Sequence, residues 1–186
     1  GVRIAHLTWN HDNLLCGAAM DGGTGLTNKG RQFVMRAQEL GIMLDMSHIS
    51  ERGFWNTLEI STRPVIAGHS NSKAVCNVPR NLSDEQFLAL VRQGGGAGIN
   101  LYPKFLGLGR NIDAVFAHIE HFMSLGGEKS VFLGCDLDGI EEMPRGISDV
   151  QDLGRIYETL LRHNYSEQLV CDIFRNNILK VMEKAL

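Results

Sequence analysis

The chain has 186 residues, 44% hydrophobic and 21% charged, long enough for one domain with a sizeable core. Eighteen basic residues against twenty-one acidic ones leave a net charge of -3 with no long run of one sign. That balance argues against a nucleic-acid or anionic-membrane surface and makes a small molecule the expected partner. Four widely spaced cysteines with no CxxC pair do not form a disulfide scaffold and point to reduced thiols and the cytoplasm. No stretch reaches the roughly 18 to 20 apolar residues of a membrane span, and no signal-like segment opens the chain.

In chain order, residues 2–8 form a first short apolar run that ends in Trp9-Asn10-His11. Thr27 is placed to cap a helix whose Phe33, Ala37 and Leu40 share a face. A second run, 42–46, ends in Ser47-His48, and Ser50 caps a helix holding Phe54 and Leu58. The third run, 65–68, ends in His69-Ser70-Asn71, and Ser83 with Gln86 fits a capping box ahead of Phe87, Leu88 and Val91. Gly94-Gly95-Gly96 reads as a helix stop, because a phosphate cradle would follow a strand and open a helix. The fourth run, 97–101, carries Asn100 and is followed by Tyr102; a helix is expected over 112–125. The fifth, 131–135, ends in Asp136 and Asp138, with helices expected near 153–162 and 166–186.

The pattern is α/β, five strand-plus-helix units in a single domain over 1–186, with spacings too wide for hairpins. Such units build either an open doubly wound sheet or part of an eight-stranded barrel. Each of the five runs ends in residues able to bind metal or move protons. A barrel gathers all its strand ends on one face, whereas a doubly wound sheet gathers them only near its switch point, so the barrel is favoured.

His48 and His69 directly follow neighbouring strands, and neutral imidazole is the commonest zinc ligand in proteins. Taken singly, each reads first as a hydrogen-bonded histidine near a helix start; at matching positions, the pair points to a metal. Asp136, in Gly134-Cys135-Asp136-Leu137-Asp138-Gly139, suits a proton carrier or an anchor for a substrate ammonium group, or else an aspartate capping a turn. The oxygen ligands of a calcium loop are not at the required spacing after it. Arg80 lies before a capped helix and can grip a carboxylate with two parallel hydrogen bonds, or stand as a solvated loop residue. His118 and His121 read as a surface pair, His6 as packed within its strand, and Asp45 as structural or as a support for His48.

Five segments together resemble the membrane-dipeptidase family (renal dipeptidase, peptidase family M19): Gly1-Val2-Arg3-Ile4 through Leu7-Thr8-Trp9-Asn10, Leu44-Asp45-Met46-Ser47-His48-Ile49-Ser50, Pro64-Val65-Ile66-Ala67-Gly68-His69-Ser70, Pro79-Arg80-Asn81-Leu82 and the Asp136 segment. The resemblance implies part of a (β/α)8 metallohydrolase barrel with two zinc ions bridged by a glutamate, hydrolysing dipeptides. It implies that His48 and His69 are ligands of one zinc, that Arg80 binds the substrate carboxylate, and that Asp136 moves a proton or holds the substrate amino group. A substrate-binding histidine of the family aligns with Trp9, which leaves Asn10 or His11 as candidates for that role.

The family's His-x-Asp metal pair and bridging glutamate find no counterpart in these residues. The chain is therefore expected to be the C-terminal part of such an enzyme, about the last five strand-helix units, with an upstream segment or another chain supplying the remaining ligands. A homodimer is compatible with this reading. Two alternatives stand beside it: a non-catalytic barrel fragment or assembly partner, and a single-metal amidohydrolase-type enzyme with a third ligand from within the chain, Asp136 being the first candidate.

Overall fold

A computed structural model describes residues 1–186. Five strands, β1 (Ile4–His6), β2 (Met43–Asp45), β3 (Ile66–Ala67), β4 (Gly96–Ile99) and β5 (Val131–Leu133), form one sheet in the order β1-β2-β3-β4-β5, all parallel. Neighbours in sequence are neighbours in space and the order never reverses, so there is no switch point. This is the strand order of a barrel wall. The ladders are shorter than the apolar runs, and β1, β2, β3 and β5 each stop with one or two residues left before the polar residues that follow those runs.

The crossover helices start where their caps predict. Thr27 accepts a hydrogen bond from the Gly30 amide at the head of α1 (Asn28–Glu39), and Ser50 accepts from Gly53 at the head of α2 (Glu51–Ile60). Ser83 and Gln86 close a reciprocal capping box on α3 (Asp84–Arg92). A short helix, α4 (Pro103–Leu106), follows β4, and α5 (Ile112–Ser124) is capped by Asn111. After β5 come α6 (Leu153–Arg162), α7 (Glu167–Cys171) and α8 (Asn177–Ala185). The single helix expected over 166–186 is interrupted by a π-turn at Asp172–Asn176 that separates α7 from α8.

Alternate strand residues point to opposite faces of the sheet. On one face Leu44, Ala67, Ala97, Ile99 and Val131 join a core with Phe54, Leu90 and Ile119, in which Phe87 and Phe122 stack at 4.1 Å. On the other face Met43, Ile66 and Phe132 are covered by Val181 and Ala185 of α8. The helix is held there by Asn177, whose amide nitrogen donates to the carbonyls of Glu128 and Val131, both at 2.8 Å. At its far end Arg63, just before β3, donates to the Ala185 carbonyl at 3.1 Å. Thus α8 sits toward the N-terminal ends of the strands, and the opposite end stays open.

The loops at that open end are tied by buried polar pairs. Asn71 and Asn100 exchange hydrogen bonds between side chain and backbone at 2.9 and 3.0 Å, locking the segment after β3 to the end of β4. The surface pair expected of His118 and His121 is not formed. His118 is fully buried, its Nδ1 accepting from the Ser72 amide at 3.1 Å and its Nε2–H donating to the Leu106 carbonyl at 3.3 Å, while only His121 reaches outward, to Asp84 at 2.8 Å. An amide without a partner in its own loop recruited the imidazole from α5, a long-range demand that helical spacing does not reveal.

Burial pushes the His118 pKa down to about 4, whereas an unfolded histidine titrates near 6.5. The folded protein therefore holds fewer protons in between. The contribution of neutral His118 is complete above pH 6.5 and is lost as pH falls to about 4, a change on the order of 3 kcal/mol. Denaturant titrations across this range should show proton uptake on unfolding that falls by about one proton in His118→Gln; equal uptake in both proteins would contradict the assignment.

Candidate metal and substrate site

The open end carries the strand-end residues picked out in the sequence, and a buried carboxylate organises them. Asp45, at the end of β2, is only 5% exposed. Its Oδ1 accepts from the amides of Ser47 at 2.9 Å and Gly68 at 2.8 Å, tying the turn after β2 to the end of β3. A Cβ at Gly68 would overlap the Asp45 carboxylate, so glycine is required there by close approach. Ser47 Oγ then accepts from the His69 amide at 3.0 Å, which fixes the second turn on the first.

His48 leaves β2 with φ of 70°, and Asp136 leaves β5 with φ of 61°. Both lie in the left-handed region that residues with a Cβ avoid, at a cost of about 1 kcal/mol or more each. Backbone strain thus falls on two of the residues the sequence nominates for chemistry. The turn at His48 brings its Nε2 to 2.8 Å from Nε2 of His69. Asn10 Oδ1, which can only accept, lies 3.0 Å from His48 Nδ1; the Nδ1 therefore carries the proton and Nε2 presents a lone pair.

Burial, followed by the charges of Arg80, His69 and His6, lowers the His48 pKa to about 2, and burial is also the main cause of a lowered pKa at His69. Both imidazoles are neutral at ordinary pH. Two neutral rings converging on one point, with an amide orienting one of them from behind, match the donor set and outer support of a metal ligand pair.

Arg80 comes in from the loop before α3 and is 4% exposed. Its guanidinium carbon sits 5.5 Å from the Phe105 ring centroid, Nη2 makes a long 3.5 Å contact to the His69 carbonyl, and the buried Nε has no partner. Burial lowers its pKa to about 10, opposed by Asp45 and Asp136, so it keeps its charge at neutral pH. A buried cation with unfilled donors is suited to an incoming anion. Asp136 accepts from Asn100 Nδ2 at 3.2 Å. Trp9, Asn10, His48, Arg80, Tyr102 and Asp136 all line one cleft of about 290 Å³.

His11 is not part of that cleft. Its exposed ring pairs with Asp21 at 3.0 Å within the loop that follows β1, and Asp138 is also exposed beyond the turn. His6, read from the sequence as packed, instead faces the site: its side chain is 40% exposed, with its ring centroid 5.5 Å from that of His69 and 6.1 Å from that of His48. The register that pairs His6 with Asp45 puts both on the inner face. Strand alternation carried that information only once the register was known.

The family model for membrane dipeptidases (peptidase family M19) matches residues 1–186. The chain belongs to the membrane dipeptidase family. An uncharacterized Klebsiella pneumoniae protein encoded in the pqqA 5' region is 33% identical over 98% of this chain and 72% of its own length. An uncharacterized dipeptidase of Schizosaccharomyces pombe is also 33% identical, over 97% of this chain and 46% of its own. Among solved structures, a metallopeptidase from Rhodobacter sphaeroides liganded with a phosphinate mimic of the dipeptide L-Ala-D-Ala superposes with a TM-score of 0.94 at 31% identity, covering all of this chain and 56% of that one. The chain thus spans about half the length of the yeast dipeptidase and of the bacterial metallopeptidase. The superposition agrees with the barrel-type architecture read from strand order.

If Asn10 sets the His48 tautomer, Asn10→Ala should release it. Nitrogen-15 NMR of the imidazoles should show predominantly Nδ1–H His48 in the parent protein and a mixture in the variant. An unchanged tautomer would assign the orientation to the strained backbone alone.

Proposed function

We propose that this chain contributes the His48–His69 metal position, the carboxylate clamp and the proton carrier of a zinc dipeptidase. The observation that carries the reading is the convergence of the two Nε2 atoms 2.8 Å apart beside the buried, incompletely paired Arg80, with Asp136 on the same cleft. A neutral, oriented imidazole pair fits zinc. By the family resemblance, a bridging glutamate and a His-x-Asp pair complete two zinc sites, and these come from residues outside this chain. Within the chain, β1 and β5 each leave one edge without a strand partner, the surface on which further barrel strands would pair. Zinc bound there would supply Lewis acidity, making water acidic near neutral pH and polarising the scissile carbonyl.

The chain's own residues do the rest. Arg80 grips the C-terminal carboxylate of the dipeptide, its attraction for that anion strengthened by the dry surroundings that also hold it in place. Asn100 orients Asp136, which takes the proton from the attacking water and returns it to the leaving amine. Asn10 borders the cleft while fixing His48, and exposed Trp9 forms a lip where the resemblance places a substrate-binding histidine. Dipeptide specificity would follow from the short distance between a carboxylate-binding end and the reacting centre.

Metal analysis of the protein joined to the segment or chain that completes the barrel should find zinc, and His48→Ala and His69→Ala should each lose metal and dipeptide turnover together there. Unchanged metal content and turnover in both would refute the reading. Asp136→Asn should lower kcat roughly 10²- to 10⁴-fold with a smaller effect on KM. Arg80→Lys should raise KM at least about tenfold for free dipeptides, the scale of one lost charge-assisted hydrogen bond, and much less for dipeptide amides. An equal effect on both substrate types would remove Arg80 from carboxylate binding.

A further inference from the structure

The cleft at the open end holds three charged side chains, and the proposed chemistry uses two of them. Arg80 is the cation and Asp136 one carboxylate; Glu141, further along the loop after β5, lines the same cleft as a second carboxylate. The loop itself holds Glu141 there. The Gly139 amide donates to the Asp136 carbonyl at 3.0 Å, and a Cβ at Gly139 would overlap the Asp136 carboxylate, so the chain folds tightly back over Asp136 before it reaches Ile140 and Glu141. Beyond them the Arg145 amide donates to the Arg110 carbonyl at 2.8 Å, and Arg145 Nη2 donates to the Gly109 carbonyl at 2.7 Å. These bonds draw the loop over the segment that follows β4, away from the free edge of β5. Lys104 of that segment has its Nζ 5.4 Å from the Tyr102 ring centroid, and its pKa is raised first by Tyr102 and then by Glu142 and Glu141. No salt bridge joins Glu141 to Lys104 or to any other cation of the chain.

The backbone of a dipeptide offers nothing that needs Glu141. Its carboxylate goes to Arg80, its scissile amide to Asp136, and its α-ammonium is tethered close to the scissile carbonyl, at the reacting centre. Glu141 is exposed at the rim, past half-buried Ile140, where a side chain reaches and the backbone does not. Tyr102 and Ile140, both half-buried, wall the cleft beside it. Lysine and arginine lay an apolar stem along such a wall and deliver their charge at its end. We propose that Glu141 makes this cleft selective for dipeptides with a cationic side chain, an inference that rests on the dipeptide site proposed above and gives it a substrate class. The charge sits on either the N-terminal or the C-terminal residue of the substrate, and dipeptides of both kinds distinguish the two.

The test is calorimetric binding to the protein joined to the segment or chain that completes the barrel, treated with chelator so that no substrate is consumed, with circular dichroism to confirm the fold. The probes are Lys-Ala, Ala-Lys and their norleucine counterparts, which keep the stem and lose the charge. One lysine dipeptide should bind at least about tenfold more tightly than its counterpart, the scale of one contact to a charged group, and the pair that shows the difference identifies the residue that carries the charge. Raising the salt to about 0.5 M should shrink the preference, because the contact lies at an exposed rim. Glu141→Gln should abolish it while leaving the norleucine dipeptides bound as before, and Glu141→Lys should disfavour the lysine dipeptide. Equal binding of lysine and norleucine dipeptides by the parent, or an undiminished preference in Glu141→Gln, overturns the proposal. An equal loss for both in Glu141→Gln also overturns it and assigns Glu141 to the α-ammonium. With metal restored, turnover of Ala-Ala without a lysine preference sinks this proposal alone, whereas a Glu141-dependent preference in binding with no turnover of any dipeptide sinks the catalytic reading alone. Failure to bind any dipeptide removes both.

Discussion

One carboxylate oxygen, Oδ1 of Asp45, holds the site in register. By accepting the amides of Ser47 and Gly68 it fastens the exits of β2 and β3 to each other, and those exits carry His48 and His69. Burying an aspartate is costly unless its charge is met by donors, and here backbone amides meet it on one oxygen while imidazoles approach the other. The geometry follows from that need. Gly68 must be small, Ser47 is placed to receive the next amide, and His48 is thrown into a left-handed turn that aims its ring across the sheet end.

The electrostatics of the cleft are those of a dry pocket. Burial keeps the imidazoles neutral while Arg80 retains its charge, so lone pairs and a cation coexist a short distance apart without protons neutralising the difference. In water such an arrangement would be screened and blurred. The unpartnered Arg80 Nε and the strained backbones of His48 and Asp136 destabilise the folded state, and a binding site is where such costs are expected to persist.

What could be read in the sequence was whatever local chemistry encodes. Thr27, Ser50 and Ser83 announced their helices because a cap is a contact over three residues. The five strands and the polar residues after them followed from short apolar runs, and five ordered motifs led to the family. Pairings across tens of residues were not legible. His6 became a neighbour of His69 only through the β1–β2 register, His118 was drawn inward by an amide 46 positions away, and His11 was turned outward by Asp21 in its own loop. Asn10 and His11 were indistinguishable as letters; the path of one loop separated them.

The last helix has a consequence for traffic. With Val181 and Ala185 of α8 seated on Met43, Ile66 and Phe132, and Arg63 clasping the helix end beneath β3, the inner face of the sheet is stoppered at the end away from His48 and Asp136. Within this chain that end offers no way past α8. The end that stays open is the one that carries His48 and Asp136, and exposed Trp9 stands on its rim.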